Sequence, residues 1–276
     1  VDGPPLTLRP ARVNVREGRG GSGRRVDGVV YGRRVDGVVY GRRVGAGREG
    51  RKGTGMAGAV VIGAGAGIGQ AVARRFAKGG LPVTLVARSE GTLRAAQEAI
   101  APLGVPTLAL RADSTDRAAL DAALDEAVAA HGVPEVAVYN AALIRADAIG
   151  ELSVRAHLDA WAVNVLGAVN AAAKLAPAMA ARGSGTFLVT GGMPEPDPRY
   201  VSLSLGKAGV RTLVALLARQ YGPDGVHVAS VTVDGPVAPG TDFDPDDIAE
   251  HYWDLHHQPR AQWTQEALHT GRPAQG

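Results

Sequence analysis

The sequence contains no cysteine. That absence excludes disulfides, thiolate nucleophiles and cysteine-ligated zinc, and it suits a reducing cytosol. No run of about 18 uncharged apolar residues is present, so no membrane span is expected. The N-terminus has no apolar core followed by a small-residue cleavage site, so no secretory signal is expected either. Aromatic side chains are few, while the apolar share of 45% is that of an ordinary globular chain. A length of 276 residues suits one domain with a large core.

Carboxylates are scarce in the first 55 residues, where 13 Lys and Arg face 5 Asp and Glu; the remainder holds 17 against 22. The basic character therefore belongs to a tail. "RRVDGVVYG" at 24–32 returns unchanged at 33–41, between "GRGGSG" and "GAGREGRKGTG". Such a segment has too little apolar material to fold alone and reads as a disordered Arg/Gly-rich extension, residues 1–55. An identical tandem repeat also reads as DNA translated from a misplaced start, with the native start near Met56. Arginines attract phosphates, yet a nucleic-acid arm is the least favoured of these readings. Two repeats are too few for a solenoid.

From Ala57 onward, short apolar runs alternate with amphipathic segments. Strands are expected at 59–64, 82–87, 106–112, 135–141, 185–191 and 226–233. Between them, helices are expected at 69–80, 90–103, 116–132 (capped by Ser114 or Thr115), about 153–181, and through "LGKAGVRTLVALLARQYG". This alternation predicts an α/β fold, a doubly wound parallel sheet in a single domain, residues 56–276. Its ligand site is expected beyond the strands' carboxyl ends. A last helix is predicted at 244–258, capped by Asp244 with Pro245 in its first turn. Tyr252, Trp253 and Leu255 on it either dock the helix or cover a substrate cleft. His251, His256 and His257 lack an i, i+4 spacing, so no metal site is expected.

"VVIGAGAGIGQAV" joins the first strand to the first helix. Gly63, Ala64, Gly65, Gly67, Ile68 and Gly69 form a turn that predicts dinucleotide binding and a Rossmann fold. Glycines permit close backbone approach, and the helix N-terminus presents free N–H groups to a pyrophosphate. At the end of the second strand, "LVARSE" offers Arg88 and no carboxylate before Glu90. A base there accepts a 2′-phosphate, so NADP(H) is favoured, with NAD(H) the alternative.

With that turn the chain resembles the short-chain dehydrogenase/reductase family over roughly Met56 to Thr241. The family pattern TGxxxGIG is kept at Gly63, Gly67, Ile68 and Gly69, with Ile62 in place of threonine. The resemblance implies that Asp113 and Ser114 meet the adenine side. "YNAA" stands for the family's NNAG and brings Asn140, Ala141 and Ala142 to the cofactor. Asn164 matches an asparagine that holds a kinked helix, Lys207 the active-site lysine, and Val237 the residue that meets the nicotinamide amide. The implied activity is reduction of a carbonyl or oxidation of an alcohol, in a cytoplasmic protein that forms homo-oligomers, a dimer or tetramer. The implied substrate is a small organic molecule, with the aromatic last helix hinting at an apolar one.

Two positions depart from the family. A tyrosine is expected four residues before the lysine, where both groups share one helix face. That position is Leu203, which cannot transfer a proton. The serine expected after the fifth strand is replaced by Gly191-Gly192, with Thr190 the nearest hydroxyl. Tyr200, seven residues before Lys207, is the candidate substitute acid. The catalytic set read from the sequence is therefore Lys207, Asn164, Tyr200 and Thr190. A catalytically impaired NADP(H)-binding or sensor protein is the alternative.

Overall fold

The computed structural model describes residues 33–35, 38–40 and 57–271. The chain divides into two units, Val1–Lys52 and Gly53–Gly276. In the first, Arg33–Val35 and Val38–Tyr40 pair as short antiparallel strands. The other expectations for the extension, including its disorder, its basic arm and the start near Met56, lie outside the described residues.

In the second unit the expected strands form one parallel sheet. These are β1 (Ala59–Ile62), β2 (Val83–Ala87), β3 (Thr107–Arg111), β4 (Val136–Tyr139), β5 (Gly185–Thr190) and β6 (Val226–Val233). A seventh strand, β7 (Glu266–His269), completes the order β3-β2-β1-β4-β5-β6-β7. β7 was not foreseen, because "EALH" is short and carries a charged residue in place of an apolar run. β1, β2, β4 and β6 are buried along their whole length, as strands covered on both faces must be.

The chain runs outward through β1, β2 and β3, then returns to place β4 on the other side of β1. The carboxyl ends of β1 and β4 therefore diverge into opposite crossovers, the place where doubly wound sheets bind ligands.

Helices cover both faces. On one, α1 (Ile68–Lys78), α2 (Glu90–Ile100) and the late α7 (Pro245–His257) bury Phe76, Ile100 and Tyr252 against the sheet. On the other, α3 (Arg117–His131), α5 (Gly167–Arg182) and α6 (Val201–Tyr221) bury Leu120, Leu175 and Val210. Two helical stretches, 154–182 and 201–221, are long and apolar enough to cross a membrane by composition alone. Half of each is buried within the fold, as in core helices of a sheet protein.

Two local expectations change. Asp116, not Ser114 or Thr115, caps α3, its carboxylate accepting from Ala118 N and Ala119 N. Asp113 Oδ1 instead accepts the backbone N–H and the hydroxyl of Thr115, which closes the turn before the helix. The helix expected at 153–181 is interrupted. α4 (Val154–Trp161) runs into a π-helical turn, Ala162–Leu166, before α5 begins. Such wide turns insert one residue into the ladder and swing side chains out of register. α7 is as expected, with Asp244 bonded to Asp246 N and Pro245 in the first turn.

Candidate functional site

Six strand ends open into one cavity of about 990 Å³. Gly63, Gly65, Gly67 and Ile68 line it after β1, and Arg88 after β2. Asp113 and Ser114 follow β3, Asn140, Ala141 and Ala142 follow β4, and Thr190 to Met193 follow β5. Tyr200, Leu203 and Lys207 enter from the start of α6, and Gly235 to Val237 from the end of β6.

The turn after β1 is built for close contact. Gly63 has φ 91°, and a Cβ on it would lie 2.4 Å from Ala141 N. A Cβ on Gly69 would lie 2.1 Å from Gly63 O. These two glycines let the turn pack on itself and on β4. Gly65 and Gly67 differ, since a Cβ on either would meet nothing within 4 Å. They leave backbone open toward the cavity. No side chain caps α1, and its first turn holds no acidic residue, so its positive end faces the cavity uncompensated. Those features fit a pyrophosphate. Ala64 is wholly buried behind the turn, and neither it nor Gly69 reaches the cavity wall, which corrects their reading as contact residues.

Beyond β3, Ser114 is buried with its Oγ 3.1 Å from the Tyr139 hydroxyl. Tyr139 donates to Val163 O at 2.6 Å. Burial, the larger influence, pushes its phenol up to about 12 against the opposing hydrogen bond from Ser114. Arg88 is exposed at the mouth, and Arg111, exposed at the end of β3, donates to its carbonyl at 3.1 Å. The β2–β3 register, Ala87 opposite Arg111, brings this second base alongside. Nothing local in the sequence signals it.

On the α6 side of the cavity, Lys207 is 6% exposed and its Nζ donates to Thr190 O at 2.6 Å. Burial lowers its ammonium to about 8. Leu203 precedes it by one turn of α6, 6% exposed, on the same wall. Tyr200 caps α6 in a non-helical conformation, φ −141° and ψ 54°, so it does not share the helix face of Lys207. It reaches the cavity from the loop instead. That loop is fixed by Asp147, which is buried and accepts Ser202 N at 3.0 Å and the Ser202 hydroxyl at 2.7 Å. A backbone bridge joins Asp147 to Tyr200.

The glycine at 191 has a steric cause. A Cβ on Gly191 would lie 2.3 Å from Thr232 Oγ1. Met193 has φ 48°, and Arg211, four residues past Lys207, donates to the carbonyls of Gly192 and Met193. Arg211 was legible only as a helix-face neighbour of the lysine.

Two members of the sequence-derived catalytic set are occupied elsewhere. Thr190 Oγ1 donates to Asn140 Oδ1 at 2.7 Å, so its one proton is committed and unavailable to a substrate. Asn164 is 2% exposed and off the cavity wall, on the π-helical turn. Its Oδ1 accepts Leu143 N at 2.8 Å and its Nδ2 donates to Leu143 O at 3.2 Å, tying down the loop after β4. The aromatics of α7 do not cover the cleft either. Tyr252 is fully buried, and Trp253 packs on Phe76 and over Gly79. Val237, 39% exposed, and the exposed Ile144 both line the cavity.

The profile of the short chain dehydrogenase family matches residues 57–244. The chain is 32% identical over 184 residues to an uncharacterised short-chain type dehydrogenase/reductase of Sinorhizobium fredii, covering 63% of this chain and 72% of that one. A short-chain dehydrogenase structure from Rhodopseudomonas palustris superposes with a TM-score of 0.71 at 28% identity, over 79% of this chain and 98% of that one. A metagenomic short-chain oxidoreductase in complex with NADP superposes with a TM-score of 0.70 at 28% identity, over 77% of this chain and 96% of that one.

Proposed function

Given that the chain belongs to the short-chain dehydrogenase family, we propose that it binds NADP(H) and transfers hydride between that cofactor and a carbonyl or alcohol of a small, apolar organic molecule. The observation that carries this reading is the single cavity shared by the Gly63–Ile68 turn and Lys207. Bound there, the nicotinamide would supply or accept the hydride. Gly65, Gly67 and the start of α1 would hold its diphosphate, Asp113 and Ser114 the adenosine side, Asn140 to Ala142 the middle, and Lys207 the ribose hydroxyls. Val237 would border the nicotinamide amide. Arg88 supports NADP(H) over NAD(H), with Arg111 a second positive charge beside it.

Leu203 has no proton to give, so another group must serve the substrate oxygen. Tyr200 is the candidate, since it lines the same cavity and its loop is held by Asp147. Ile144, Met193, Leu203 and Val237 line the same cavity and favour an apolar substrate. A homo-oligomer is supported by exposed apolar residues on α4 and α6, including Leu158, Trp161, Leu205 and Leu216. A cytoplasmic setting follows only from the cysteine-free composition.

Leu203 also favours a second reading, a nucleotide-binding or sensor protein with impaired catalysis. One experiment separates the two. NADPH fluorescence is titrated first, and consumption is then followed over a panel of aldehydes, ketones and quinones. Binding with turnover supports the oxidoreductase, binding without turnover supports the sensor, and no binding of NADPH or NADH removes both.

A further inference from the structure

The turn after β1 is linked through a series of hydrogen bonds to α7, which packs beside α1 on the same face of the sheet. Tyr252, on α7, has no solvent exposure, and its hydroxyl lies 2.6 Å from Thr190 Oγ1. Thr190 Oγ1 lies 2.7 Å from Asn140 Oδ1, and Asn140 Nδ2 donates to Gly63 O at 2.8 Å. The chemistry fixes the direction of this chain. Gly63 O accepts only, so the amide nitrogen of Asn140 faces it and the amide oxygen faces Thr190. That oxygen takes the single proton of Thr190, which leaves Thr190 a lone pair for the proton of Tyr252. Every donor in the series has one acceptor, and the last is the carbonyl of the first glycine in the turn.

The start of the series is moored. α7 packs along α1, where Arg75 Nε contacts both carboxylate oxygens of Glu250 at 2.7 and 2.8 Å, and Arg74 pairs with Asp246. The Arg75 guanidinium also lies 3.9 Å from the centre of the Trp253 ring. Partly exposed ion pairs contribute little stability each, but they fix where the helix sits. α7 begins at Pro245, just beyond the stretch matched by the family profile. Removing one hydroxyl from a buried series strands its neighbour without a partner, and the neighbour must turn or lose its bond.

We propose that Tyr252 is a positioning residue for the dinucleotide site, setting the Gly63 turn through Thr190 and Asn140 without touching the cofactor. Its effect on cofactor affinity rests on the NADP(H) reading above, whereas its effect on the turn does not.

The test compares the full chain with Tyr252→Phe, which keeps the ring and removes the hydroxyl. Hydrogen exchange is first followed without nucleotide. The variant is expected to exchange faster across 62–69 and 139–143, while 90–100 on the same face of the sheet is unchanged. NADPH titration should then show binding weakened about 5- to 10-fold, the scale of one lost buried hydrogen bond. A purely structural role would lower the melting temperature and leave both readouts alone. Thr190→Val interrupts the series at its middle, and adding Tyr252→Phe to it should cost no further affinity. Unchanged exchange at 62–69 in Tyr252→Phe, or additive losses in the double variant, would overturn the proposal. If the wild type binds no nucleotide, the function proposed above fails. Tyr252→Phe exchange at 62–69, which needs no nucleotide, then decides the positioning by itself: faster exchange supports it and unchanged exchange overturns it.

Discussion

Leu203 and Lys207 stand one helical turn apart on the buried wall of α6, and both border the cavity that holds the Gly63 turn. The lysine brings an ammonium to that wall while its neighbour offers only methyl groups. Chemistry at this site therefore turns on where a proton comes from.

Leu203→Tyr places a phenol beside Lys207, whose charge would favour the phenolate. The larger ring has room, because Leu203 faces open cavity. Reductase turnover is expected to rise about 100-fold, within the range of a positioned general acid. An unchanged kcat in a variant that still binds NADPH would mean that proton supply does not limit the reaction.

Tyr200→Phe tests the substitute acid. The expected outcome is a fall of about 100-fold in kcat, with NADPH affinity within about twofold of the wild type, since the hydroxyl serves substrate and not cofactor. Undiminished turnover on the best substrate of the panel would remove Tyr200 from the mechanism.

Lys207 carries a pH signature with a definite sign. Burial lowers its ammonium from the usual 10.5 to about 8, so the folded protein gives up this proton before the unfolded chain does. Between those two values the unfolded chain binds more protons, and this group makes stability rise with pH; below about 8 its contribution is flat. Urea unfolding at pH 7 and pH 10, taken as the difference between wild type and Lys207→Met, should shift by on the order of 2–3 kcal/mol in favour of wild type at pH 10. A pH-independent difference would mean that the lysine is not desolvated in solution.

Arg88→Ala is expected to weaken NADPH about 10- to 100-fold, the value of a charged hydrogen bond, and to leave NADH nearly unchanged. Adding Arg111→Ala should deepen the loss for NADPH alone. Equal loss of both cofactors would place Arg88 away from any 2′-phosphate. The measurement is a fluorescence titration of each nucleotide.

The sequence carried most of the architecture because its signals are local. Six apolar runs were read as strands and form one parallel sheet, and the Gly63–Gly69 string fell between the first of them and its helix. Its failures share a cause. The interruption at Ala162–Leu166 was implied by the resemblance at Asn164 but not by periodicity, because Asn164 bonds a loop 21 residues earlier. β7 owes its existence to an edge of β6 that pairs Ser230 to Val233 with Glu266 to His269. Tyr200 reads as a helix-face partner of Lys207 by spacing, yet the bridge to Asp147 holds it in a cap conformation instead.

By itself the sequence determined the strand–helix alternation, the glycine turn and the leucine four residues before Lys207, since each is a property of neighbouring residues. Only the tertiary structure decided which hydroxyls are free. Thr190 stands at the end of an apolar strand and reads as a substrate contact, until α7 and β4 bring Tyr252 and Asn140 from 62 and 50 residues away to take up its bonds. A hydrogen bond depends on distance and direction in space, and sequence separation encodes neither.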